Sequence, residues 1–119
     1  MAKNDLHVIM YKILKYLYEC MKNAKTAELE DFSWDSKLCH IPKAYWCEII
    51  AILVKHGYIV GFDIIECTKD NPEIITNRPF KITLKGIQCL EENSMMEKAR
   101  EFCGETFNVI LSAILNVVI

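Results

Sequence analysis

The sequence predicts an α+β domain that is mostly helical, and three observations predict it. Apolar residues in 5–22 and again in 43–54 recur at the helical spacings of three and four. At Gly57 a helix-forming run gives way at once to "YIVGFDIIEC", rich in the aromatic and β-branched residues that suit a pleated, half-buried surface. Beyond it "TKDNPE" is dense in turn formers and "IITNRPFKIT" offers a second extended segment, so the two runs read as a hairpin. Helix, short helix, long helix, hairpin is the order of a winged helix-turn-helix: three helices and a β-hairpin wing, here with two additional C-terminal helices. A general α+β domain of another topology stays open.

Each element has its own signal. From Asp5 to about Lys22, Leu6, Ile9, Met10, Ile13, Leu14, Leu17 and Met21 share one helical face, which leaves Lys12, Lys15, Glu19 and Lys22 for a mildly basic solvent face. Residues 23–32 are polar and aperiodic, with room for a short strand. Ser33 before "WDSKLC" reads as the cap of a short helix, with Asp35 in its first turn. Pro42 opens the long third helix, where its fixed φ and missing N–H do least harm, and Gly57 ends it in the left-handed conformation of a helix stop. Pro79 predicts an edge or a bulge in the returning strand.

After the hairpin, Thr83 caps "LKGIQCLEEN", and Ser94 to Glu97 matches the capping box that starts a last helix. Glu97, Glu101, Glu105, Asn108, Ser112 and Asn116 then line one side of that helix, leaving a broad apolar remainder that needs a cover. The division expected is a winged-helix domain over residues 1–93 and an amphipathic helix over 94–119, which packs on the domain or dimerises.

Composition bounds the function. With 119 residues, 52% hydrophobic and 25% charged, the chain carries one globular domain. A net charge of −2 supplies no global field toward nucleic acid or anionic lipid, so any basic footprint is local. The run "FNVILSAILNVVI" is thirteen residues against the roughly 20 that a spanning helix needs, so no membrane span is expected. The N-terminal run lacks the pattern of a secretory signal, which predicts a reducing, cytoplasmic setting for the six cysteines. No Cys-x-x-Cys occurs, so neither metal nor cofactor is expected, and the cysteines read as small core hydrophobes. An enzyme is not expected either. His7, His40 and His56 are scattered, and there is neither a nucleophile elbow nor a glycine-rich phosphate loop.

The segments "YKILKYLYECM", "YWCEIIAILVKHGYIVG" and "ITLKGIQCLEENSMMEKA" give the chain a resemblance, over nearly its whole length, to the YjcQ-like family of small winged-helix proteins from low-GC Gram-positive bacteria and their prophages. The last segment is the most specific. The resemblance implies a winged-helix fold and a DNA-binding or transcription-regulatory role inferred from that fold, with no catalytic residues to carry over. The extreme end departs from the family by being more apolar.

Two binding readings follow. If helix three enters the major groove of double-stranded DNA, with Trp46, Ile49, Ile50 and Leu53 inside, then Lys43, Ala44, Cys47, Glu48, Ala51 and Lys55 face outward, and the wing adds Lys69 and Arg78. This face lacks Arg, Asn and Gln, and Glu48 repels phosphates, so base readout is weak. The alternative is a protein–protein interaction module on the same scaffold without DNA binding. For the last helix, Phe102, Phe107, Ile110, Leu111, Ile114 and Leu115 either pack against a second copy in a homodimer or close the domain's own core.

Overall fold

The computed structural model describes residues 1–67 and 72–119, with only the backbone path for 64–67 and 72–78. Its elements are α1 (Leu6–Lys22), α2 (Leu29–Phe32), α3 (Lys43–Lys55), β1 (Ile59–Cys67), β2 (Pro72–Ile82), α4 (Leu84–Glu92) and α5 (Ser94–Leu115). The protein is thus α+β and mostly helical, with one two-stranded antiparallel sheet.

Helix α1 is the hub, touching α3, α4, α5 and β2. Val8, Ile9, Ile13, Leu14, Tyr16 and Leu17 are at most 1% exposed, so burial runs well beyond the single stripe that the spacing predicts. Glu19, expected on the wet face, is itself buried. Its Oε2 lies 2.8 Å from Lys22 Nζ and 3.7 Å from Lys15 Nζ. The Lys22 approach is off the line of a hydrogen bond, so these contacts are ionic, and the two lysine stems carry the compensating charge to the surface.

The connection from α1 to α3 differs from expectation. Residues 23–32 hold no strand but the single helical turn α2, fixed from α1 by Tyr16, whose hydroxyl accepts from the Glu28 N–H (2.9 Å) and donates to Asp31 Oδ2 (2.8 Å). Residues 33–39 form turns instead of the helix expected after Ser33. The Ser33 hydroxyl donates to Asp35 Oδ1 (2.6 Å) and that of Ser36 to the Ser33 carbonyl (2.7 Å), so short polar side chains offer the backbone local partners that compete with a helix. Phe32, fully buried, is the aromatic centre of this layer, with Tyr16 at 5.4 Å, Phe80 at 5.5 Å and Trp46 at 6.3 Å between ring centroids. Its carbonyl accepts from Trp46 Nε1 at 2.9 Å, which satisfies the indole inside the core.

Helix α3 follows Pro42 and stops at Gly57, whose φ of +75° turns the chain directly into β1. Ile59 pairs with Ile82 and Val60 with Lys81, but Phe62 pairs with Thr76, so residues 77–80 bulge out of β2 opposite Gly61. Pro79 sits in that bulge, as its chemistry predicts. Gly61 is required there, because its φ is +109° and a Cβ would lie 2.7 Å from the Pro79 carbonyl oxygen.

Thr83 caps α4 by accepting from the Gly86 N–H. The last helix starts one residue earlier than its capping box suggests. Asn93 is the cap, its Oδ1 accepting from Met95 N (2.8 Å) and Met96 N (3.3 Å), while Ser94 lies inside the helix. Gly104 (φ +60°, ψ −159°) kinks α5. The kink resets the helical phase, so the expected polar row is broken: Asn108 and Ser112 are half-buried while Val109 and Ala113 are exposed. Met96, Ala99, Phe107, Leu111 and Leu115 belong to the same buried cluster as α1 and α3.

Candidate nucleic-acid interface

The surface to inspect is the solvent side of α3 beside the hairpin. Trp46, Cys47, Ile49, Ile50 and Leu53 are buried along α3, which leaves the exposed Glu48 and Lys55 with the half-buried Ala44, Ala51 and Ile52 as its open face. Cys47 therefore corrects the sequence reading. It was expected to face outward and is 0% exposed, because α1 and both strands cover α3 over a wider arc than a single apolar stripe.

The helix start is more occupied than the sequence suggests. Lys43 is exposed, but its Nζ lies 4.8 Å over the Trp34 ring, a cation–π contact that holds the ammonium against the 33–39 turns. Tyr45 donates from its hydroxyl to the Asn4 carbonyl at 2.8 Å and ties α3 to the chain start. Neither contact has a spacing signal in the sequence, since Tyr45 and Asn4 are 41 residues apart. At the other end Lys55 projects freely enough to be exposed, and His56 Nδ1 lies 3.0 Å from the Ile52 carbonyl, with its ring 5.6 Å from that of Tyr58. His56 is a helix-end residue, as its position predicts.

Of the wing residues, Lys69 lies outside the described residues, and Arg78 is placed by its backbone in β2 alone. Lys81, which the sequence reading passed over, is exposed on β2 beside Val60. Among the described residues no cluster of three or more His, Cys, Asp or Glu side chains could hold a metal ion, and no helix is long and apolar enough to cross a membrane.

The six residues assigned to the end of the chain divide. Phe107, Leu111 and Leu115 are buried inside the monomer, Ile110 and Ile114 are half-buried, and Phe102 is 45% exposed. Cys103 beside them is half-buried, and burial pushes its thiol pKa up.

A family model described as YjcQ protein matches residues 11–106. The chain belongs to the YjcQ family. The matched segment runs from Tyr11 in α1 to Thr106 in α5, so the α3 face, the Gly57 corner and the hairpin all lie within what the YjcQ family shares, and the apolar end beyond Thr106 lies outside it. No curated protein and no solved structure matches the chain.

Proposed function

We propose that this YjcQ-family chain is a winged-helix protein that associates with double-stranded DNA, α3 lying along the major groove and the β1–β2 hairpin serving as the wing. The observation that carries this reading is the order α1, α2, α3, β1, β2, with Gly57 turning α3 straight into the hairpin. The open face of α3 sets the kind of binding. Ala44 and Ala51 permit close approach and contact with thymine methyl groups, Lys55 meets a phosphate, and Glu48 can accept from a cytosine or adenine amino group. With no Arg, Asn or Gln on that face, binding is dominated by phosphates and has little base preference. It is binding, not catalysis, that this surface serves.

Fluorescence anisotropy with a mixed-sequence duplex tests the proposal. Affinity is expected to fall steeply between about 50 and 200 mM salt as counterions are released. Lys55→Glu should weaken binding at every sequence alike. No binding at the lowest salt would remove DNA from the reading.

A second reading is favoured by one observation. With Cys47 buried and Lys43 held over Trp34, α3 offers a small, weakly charged surface, and the net charge of −2 opposes DNA, so the same face also suits another protein. In either reading a second copy joins through the open side of α5, where Val109 is 67% exposed.

A further inference from the structure

A cleft of about 420 Å³ opens where the end of α1, residues 24–27 and the return of β2 meet. Small-molecule sites typically occupy about 300–1,000 Å³, so its volume suits a small ligand. The floor is apolar: Leu17, Cys20 and Ala27 are buried, and the half-buried Phe80 closes one wall. The rim is cationic. Lys25 and Lys81 are both exposed and line the opening, and among the described residues no acidic side chain does.

The cleft is built by two backbone irregularities. Helix α1 ends through Ala24 at φ +53°, a conformation in which glycine is the unstrained choice, and Lys25 N then bonds the Cys20 carbonyl at 2.9 Å. This fixes residues 24–27 as one wall and puts the Ala24 side chain on the lining. The facing wall is the 77–80 bulge, displaced from the ladder opposite Gly61 so that Pro79, Phe80 and Lys81 border the opening. Burial raises the pKa of the Cys20 thiol at the floor, and the charges of Asp31, Glu19 and Glu28 push it the same way.

We propose that this cleft binds a small amphipathic carboxylate, its hydrocarbon chain against Leu17, Cys20, Ala27 and Phe80 and its head group held at the rim by Lys25 and Lys81. An apolar floor under a rim that carries Lys25 and Lys81 suits this chemistry: an alkyl alcohol of the same length keeps only the apolar contacts, and an alkylammonium meets like charge. The site shares no residue with the open face of α3, and Lys25, which lies outside the hairpin proposed as the wing, separates it from the DNA reading.

Amide chemical-shift mapping of the full chain tests it, with octanoate, octanol and octylammonium as probes. Octanoate is expected to shift the amides of Leu17, Cys20, Ala24, Ala27 and Lys81 saturably, and octylammonium to leave them in place. The double variant K25E/K81E, which changes only exposed side chains, should keep the amide pattern of the fold and weaken octanoate by about ten-fold. Ala27→Phe, which fills the floor, should abolish binding where the variant keeps its fold. Equal affinity for octanoate and octylammonium, unchanged affinity in K25E/K81E, or octanoate shifts confined to α5 would overturn the assignment.

Discussion

The hydroxyl of Thr83 donates to the Gly57 carbonyl at 2.5 Å, so the residue that opens α4 holds the corner at which α3 becomes β1. The same oxygen accepts from the Gly86 N–H at 3.1 Å, and the Thr83 N–H donates to the Tyr58 carbonyl at 3.0 Å. One threonine thus joins the start of the hairpin to its end. Thr83→Val, which keeps the shape and removes the hydroxyl, should destabilise the fold by about 1–3 kcal/mol through the lost cap and the lost bond to Gly57. Urea unfolding checks this: the midpoint should fall at unchanged slope. Thr83→Ser should stay close to the parent.

Gly86 lies in α4 and Gly104 at the kink of α5, and alanine should meet a different obstacle at each. A Cβ at Gly86 would run into the Tyr58 carbonyl and lie 2.7 Å from Ile82 Cγ1, so Gly86→Ala should push α4 off the hairpin at a cost of about 1–3 kcal/mol, more than its gain in helix propensity. At Gly104 a Cβ meets nothing within 4 Å, and only the φ of +60° resists it. With φ +60° and ψ −159°, a conformation essentially confined to glycine, Gly104→Ala should cost about 1–3 kcal/mol, less as far as the kink relaxes. Thermal melts of the two variants check this; a Gly86→Ala melt equal to that of the parent would mean that α4 does not seat as described.

Alkaline pH should weaken the protein through its buried acids. Burial pushes the Cys39 thiol from its ordinary 9.0 up to about 12, and the Tyr11 hydroxyl, desolvated and facing Cys103, from 10.0 up to about 12. The unfolded chain releases these protons first, so between pH 9 and 12 the folded state holds more protons and stability falls as pH rises. Below pH 9 their contribution is fully present. The urea midpoint should be flat from pH 7 to 8.5 and decline above 9, with a shallower early decline in Cys39→Ala. Cys20 and Cys103 are shifted in the same direction by burial and supply part of what remains.

The open side of α5 makes a prediction about assembly. Phe107, Leu111 and Leu115 are core residues, so truncation after Gly104 would remove part of the monomer's interior and could not report on pairing alone. Val109→Glu is the cleaner change, because Val109 is 67% exposed. Light scattering should give a dimer for the parent chain and a monomer for Val109→Glu at equal thermal stability. A monodisperse parent monomer would refute pairing through this surface.

Much of the architecture is legible in local chemistry. Proline before α3, glycine after it, threonine before α4 and the β-branched runs of the hairpin all act within a few residues, and each element they mark is found. The misses share a cause. Ser33 and Ser94 carry helix-start chemistry, but a neighbouring side chain intervenes at each: the Ser33 hydroxyl donates to the Asp35 carboxylate, and Asn93 takes the backbone donors ahead of Ser94. The angular position of Cys47 and of Glu19 on its helix points each to water, and both are buried.

What the sequence by itself determined is the position and type of the elements, because hydrogen-bond caps, φ restrictions and side-chain period are local properties of the chain. Which sides of α1, α3 and α5 are wet was decided only by the tertiary structure. A period locates the centre of an apolar face, but its width depends on how many elements distant in sequence close over it, and α1 is covered from several directions at once. The cleft beside Ala24 is of the same kind: its two walls come from residues more than fifty positions apart, and they meet only because Gly61 lets β2 bulge toward the end of α1.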